Sequence, residues 1–161
     1  MIIRVLYKEL GVYLNKWELK SGFTMVMKSL VPLIYLSHLI VLAGCANYKN
    51  EADKILEETG VQGGLVVHLG VNNGKLTAAL HAGRSYVVHG LSRNKGIVDK
   101  ARVYIKNQGM YGKVSVEHWK GSQLPYISDM VDLVVSTGQP EVSMDEIMRV
   151  LSPGGIVYIK D

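Results

Sequence analysis

The chain has 161 residues, room for about one domain, and is 48% hydrophobic with 17 glycines and 4 prolines. That composition excludes a disordered or low-complexity protein. Its net charge of +4 sits mostly at the front: residues 1–28 carry five Lys/Arg against two Asp/Glu, and the other 133 carry 13 against 12. The body of the chain therefore offers no clustered basic face, and no nucleic-acid partner is expected.

Ser29 to Ala46 contains no formal charge, and Leu30 to Gly44 is mostly apolar, with Lys28 just before it. A cation ahead of a short apolar run suits a secretory signal. The run closes on Leu42-Ala43-Gly44-Cys45, which resembles the lipobox of bacterial lipoproteins. In that family a peptidase cuts before the cysteine and the thiol is lipidated. The resemblance implies acylation of Cys45, membrane attachment and a place in the bacterial cell envelope. The alternative for 25–45 is a transmembrane anchor, although about 18 charge-free residues are marginal for a span. Pro32, Ser37 and His38 weaken it further. Without an export signal the location would be cytoplasmic. Under the signal reading, Met25 or Met27 is the start and 1–24 an upstream extension. Cys45 is the lone cysteine, which leaves no intrachain disulfide or multi-cysteine metal site.

Ala46–Asn50 reads as a polar connection, within a linker over 46–51. Glu51–Thr59 reads as a helix stopped by Gly60. Strand-like and helix-like segments then alternate: a strand over Leu65–Leu69, a helix over Gly74–Ala82, a strand over Ser85–Gly90 and a helix over Asn94–Asn107. Strands follow over Lys113–Glu117 and Met130–Ser136, then a helix over Val142–Leu151 and a strand over Gly155–Lys160. Short apolar strands separated by helices imply a parallel sheet covered on both faces, a doubly wound α/β fold. Its ligand crevice lies beyond the carboxyl ends of the strands. Gly70–Gly74, Leu91–Arg93 and His118–Gly121 fall at such ends.

The run Gly64-Leu-Val-Val-His-Leu-Gly70-Val-Asn-Asn-Gly74-Lys-Leu-Thr77 is the most telling. An apolar strand meets a glycine-bracketed loop and a helix N-terminus, where backbone can approach a nucleotide-like ligand closely. Gly70 and Gly74 have the spacing of the outer glycines in the loop of class I S-adenosylmethionine-dependent methyltransferases. Further segments resemble that family in the same order. They are His89-Gly-Leu-Ser-Arg93, Val116–Pro125, Asp132-Leu-Val-Val135 and Met148-Arg-Val-Leu-Ser-Pro-Gly-Gly155. The ordered set spans about residues 52–161 and carries the resemblance more than any one motif does. It implies a Rossmann-like, doubly wound parallel sheet of methyltransferase type, strand order 3-2-1-4-5. It also implies S-adenosylmethionine as cofactor and a methyl acceptor of unknown identity. Family members continue beyond the fifth strand, so the C-terminal strands are expected to be missing here, as in a fragment or a short relative.

By that resemblance the cofactor-binding positions are His68, Gly70, Asn72, Gly74, Ser92, Trp119 and Lys120. Several depart from the family pattern. His68 stands where an acid is common, Asn72 replaces the middle glycine, and Asn73 stands where an acid is frequent. Ser92 replaces the ribose carboxylate, and Lys120 replaces the adenine-side acid. Each lost bond to a charged acceptor costs ~1.5–3 kcal/mol, so impaired cofactor binding is expected. Trp119 either stacks on the adenine or packs beneath the next helix.

The histidines show no metal-ligand spacing, and no metal site is expected. His68 and His89 read as satisfied core or crevice residues. Asp132 falls on the amino side of the sheet, away from the crevice, and Asp145 and Glu146 suit the first turn of a helix. No catalytic residue stands out. The leading function is S-adenosylmethionine-dependent methyl transfer or a degenerate descendant of it. The alternative is a non-catalytic, membrane-anchored lipoprotein domain for scaffolding or interaction, such as the front of a larger quinoprotein-like propeller protein. Nicotinamide or flavin binding fits less well, because the dinucleotide glycine spacing and the ribose acid are lacking.

Overall fold

The computed structural model describes residues 47–140 and 142–160. The upstream extension, the 25–45 segment and Cys45 lie outside the described residues.

Among the described residues the first helix, α1, runs over 47–59. It buries Ala52, Ile55 and Leu56, the three-and-four spacing of an amphipathic helix. It includes 47–50, which the sequence reading assigned to a connection. Two contacts extend it: Lys49 Nζ donates to Asp53 at 2.9 Å, one turn on, and Tyr48 packs against the core. Gly60, at φ 67, ends the helix, its N–H reaching the Leu56 carbonyl at 2.9 Å.

Strand β1 (Gly64–Leu69) pairs in parallel with β2 (Tyr86–Ser92) on one side and with β4 (Val131–Thr137) on the other. Outside them lie β3 (Val114–His118) and β5 (Leu151–Lys160), giving a five-stranded parallel sheet of order β3-β2-β1-β4-β5. This is the doubly wound, Rossmann-like fold and strand order that the sequence implied. Successive side chains of β1 alternate between layers. Val66 joins a cluster with Ile55, Leu80, Val98 and Ile105, whereas Val67 and Leu69 join Leu124, Ile147 and Val150 on the opposite face. Both faces being covered explains the run of consecutive apolar residues in the central strands.

The remaining helices are α2 (Lys75–Ala79), α3 (Lys95–Asn107) and α4 (Met144–Val150). Several boundaries differ from the sequence pattern: β5 begins at Leu151 and not at Gly155, because Leu151 already pairs with Val131. Helix α2 stops at Ala79 because the chain turns at once toward β2, where His81 Nδ1 donates to the Tyr86 carbonyl at 2.8 Å. Strand β2 continues through Leu91 and Ser92 because both pair with β3.

At the amino end of the sheet, Asp132 accepts from the Leu65 N–H at 2.8 Å and from Ser152 Oγ at 3.2 Å. That role agrees with its placement away from the crevice. Between Leu151 and Ile156 the β4–β5 register slips, so the Pro153-Gly154-Gly155 turn bulges from the strand.

Helix α4 begins with Ser143, whose Oγ accepts from the Glu146 N–H at 3.3 Å. Glu146 does more than complement the helix dipole. Its carboxylate accepts from the Leu124 N–H at 2.7 Å and from Arg149 Nη2 at 2.6 Å. Arg149 in turn donates to the Tyr126 carbonyl at 3.0 Å. The hydrogen bond from Arg149 holds the Glu146 carboxyl below its ordinary range, and the Leu124 amide adds to this. Helix α4 thus clamps the loop that follows β3. Glu146→Ala is expected to lower stability by about 1–2 kcal/mol, read as a shift in the urea midpoint. An unchanged midpoint would show that the clamp contributes nothing.

Candidate functional site

A cleft of about 920 Å³ opens at the carboxyl ends of the strands. Its floor is the loop after β1, Gly70-Val71-Asn72, and its walls come from Ser92 through Lys95, from His118 and Lys120, and from Thr137. The loop owes its path to Gly70, at φ 78, where an added Cβ would sit 3.0 Å from the Thr137 carbonyl. The Gly70 and Val71 N–H groups donate to the Leu91 carbonyl at 3.1 and 3.3 Å, and Thr137 Oγ1 donates to the Gly70 carbonyl at 3.1 Å. Three strand ends are joined in this way.

Of the seven cofactor positions read from sequence, Gly70, Asn72, Ser92 and Lys120 line the cleft; His68, Gly74 and Trp119 do not. His68 is 2% exposed. Its Nδ1 lies 2.8 Å from Thr77 Oγ1 and its Nε2 3.3 Å from Thr137 Oγ1. Burial lowers its pKa to about 4, so it is a neutral brace beneath the loop. Gly74, at φ 75, caps α2 and packs on Ala101 of α3. Asn73 also turns away from the cleft. Its Nδ2 donates to Tyr48 Oη at 3.0 Å, and its Oδ1 accepts from the Lys75 N–H at 3.0 Å.

Trp119 packs with the cluster around Leu124 and donates its Nε1–H to the Gln123 carbonyl at 2.8 Å. The Arg93 guanidinium lies over its ring, 4.7 Å from the centroid. Arg93 also donates to the Gly121 carbonyl at 3.3 Å, and His118 Nε2 donates to the Arg93 carbonyl at 3.0 Å. The Trp119 N–H reaches the Ser92 carbonyl at 3.1 Å. The loops after β2 and β3 are consequently tied to each other. Ser92 is 7% exposed and its Oγ accepts from the Asn94 N–H at 3.3 Å, while Asn94 Oδ1 caps α3 at Ile97.

Sequence reasoning missed Asn94, Lys95, Ile97 and Thr137 as lining residues, whereas Arg93 and His118 lie in the strand-end runs it assigned to the crevice. For Asn94 and Lys95 a signal existed, since they closely follow a strand end. Thr137 joins the site only through the pairing of β1 with β4. A separate polar cluster crosses the other face: Tyr126 Oη lies 2.7 Å from His89 Nδ1, and His89 Nε2 lies 3.6 Å from Glu117. Burial lowers the His89 pKa and raises that of Tyr126. Neither residue lines the cleft. Among the described residues no group of three His, Cys, Asp or Glu side chains could hold a metal, and no helix is long and apolar enough to cross a membrane.

A parallel sheet of this order with a glycine loop at the end of its first strand defines a Rossmann-like domain with a nucleotide-type crevice. Residues 67–159 match the family described as methyltransferase domain, and the chain belongs to that family. No curated protein matches it in sequence. Among solved structures it is similar to a Methanococcus maripaludis protein described as an S-adenosyl-L-methionine-dependent methyltransferase. Identity is 24% and TM-score 0.64, over 70% of this chain and 54% of that one. It is also similar to the [4+2]-cyclase SpnF (23%, TM-score 0.62, 69% and 43%). A third similar structure is the Streptomyces coelicolor geranyl diphosphate C-methyltransferase, solved with S-adenosyl-L-homocysteine (16%, TM-score 0.62, 68% and 42%). The chain spans about half the length of these structures or less. At such identities the likeness concerns the fold.

Proposed function

We propose that the chain is an S-adenosylmethionine-dependent methyltransferase domain whose cofactor occupies the cleft over Gly70–Asn72. The observation that carries this reading is the cleft itself: a left-handed glycine at the end of β1, under a cavity large enough for a nucleoside. The residues fit the group at the loop, where backbone can come close. At the ribose end they offer only the Ser92 hydroxyl, because no carboxylate lines the cleft among the described residues. The sulfonium of the cofactor supplies a reactive methyl group, and the protein's part is alignment. Cofactor binding is therefore weaker than a ribose carboxylate would allow. The apolar run ending in Leu42-Ala43-Gly44-Cys45 supports attachment to a membrane through residues 25–45, with acylation at Cys45.

The test is calorimetric titration of S-adenosylmethionine and S-adenosylhomocysteine into the full chain and into Ser92→Asp. An acid at that position accepts from both ribose hydroxyls and tightens binding by roughly tenfold or more, since a bond to a charged group is worth about 1.5–3 kcal/mol. Folded protein that takes up neither compound, with no gain in Ser92→Asp, overturns the reading and leaves a non-catalytic domain.

A further inference from the structure

Helix α3 and the loop after it carry a charge bias that the even balance of the whole body conceals. Residues 100–113 hold four Lys/Arg and no acid, whereas the rest of 29–161 holds nine against twelve. Arg102 is tied to the Val116 carbonyl at 2.7 Å. Lys100, Lys106 and Lys113 are exposed and have no ion-pair partner among the described residues. Asp99, the one acid on the helix, pairs with Lys95 at 2.7 Å. Among the lysines stand two large apolar side chains turned to solvent, Val103 at 60% and Tyr111 at 70% exposure.

Helix α3 buries Val98, Ala101 and Ile105, so only its outward side is open. Lysines around an apolar centre suit an anionic lipid surface, where the ammoniums meet acidic headgroups. Valine and tyrosine side chains enter the boundary just beneath. The place agrees with the chemistry. Tyr48, in the first turn of α1, lines one small pocket with Tyr104, Gln108 and Met110 at the far end of α3. The start of α1, two residues after Cys45 in sequence, is thus beside this patch.

We propose that the exposed side of α3, with Tyr111 and Lys113, docks on an anionic membrane. The inference rests on the reading that residues 25–45 attach the chain to a membrane.

The experiment is co-sedimentation of the full chain with vesicles of phosphatidylcholine, alone or mixed with phosphatidylglycerol. Each lysine near an anionic surface contributes roughly fivefold, so the triple variant Lys100→Gln, Lys106→Gln, Lys113→Gln should bind the mixed vesicles about thirtyfold more weakly or worse. Its binding to neutral vesicles should hardly change. The variant Lys54→Gln, Arg84→Gln, Lys160→Gln removes the same charge elsewhere and should lose less than about threefold. Equal losses in the two variants mark diffuse attraction and overturn the proposal. A preference for anionic vesicles that the α3 variant keeps does the same. So does an RNA duplex bound as tightly as the vesicles and lost in that variant. Binding to neutral vesicles with no gain from phosphatidylglycerol overturns the proposal while the attachment reading stands. Binding to mixed vesicles alone, carried by the three lysines, supports the proposal and overturns attachment through 25–45. Binding to neither kind removes both.

Discussion

Gly74→Ala lowers the unfolding free energy by about 3 kcal/mol, combining a left-handed backbone cost with overpacking. Gly74 sits at φ 75 as the N-cap of α2, so any Cβ is strained there. That Cβ would also lie 2.9 Å from Ala101 Cβ and 3.0 Å from Ala101 Cα. The second contact is to backbone, so α2 and α3 must separate to make room. Gly60→Ala is the matched control: φ is 67 and nothing lies within 4 Å. It should lose only about 1 kcal/mol, the conformational part. Ala101→Gly placed in the Gly74→Ala background should recover part of the difference. Equal urea midpoints for the Gly60 and Gly74 variants would show that α2 and α3 are not in close contact.

The second large effect follows pH. His68 is neutral in the fold, with a pKa near 4 against an ordinary 6.5, because burial disfavours the imidazolium. Between those values the unfolded chain binds a proton that the folded chain does not. Stability is therefore full above pH 6.5 and falls as pH drops toward 4, by about 3 kcal/mol in total. His89, also lowered by burial, acts with the same sign. His68→Gln keeps a donor and an acceptor for Thr77 and Thr137 but cannot titrate. Its unfolding free energy should change less between pH 7 and pH 4.5 than that of the parent. Parallel pH curves for the two proteins would refute the assignment.

These two sites show what could be read in advance. The strands and the place of the crevice followed from apolar runs and from glycines at their ends, both of which are local signals, whereas the strand order came from the family resemblance. Gly70 and Ser92 belonged to the site because a strand end fixes where backbone emerges. His68 did not, because its side chain goes to whichever face the sheet register dictates, and that face holds Thr77. Trp119 was open between ligand and packing. Its partners Arg93 and Gln123 lie on loops whose paths no periodicity describes. Glu146 reaches Leu124 across 22 residues, a pairing set by how α4 docks on the sheet.

The bonds between the β2 and β3 loops have a bearing on kinetics. Arg93 to Gly121, His118 to Arg93 and Trp119 to Ser92 make one rim of the cleft a single stiff body. The entropy of ordering that rim is lost at folding and not at ligand capture, so a ligand meets a preorganised wall. Association then proceeds without a slow closing step on this side, and dissociation sets the affinity. Amide exchange at Asn94 and Trp119 should be slow in the free protein and nearly the same in the complex.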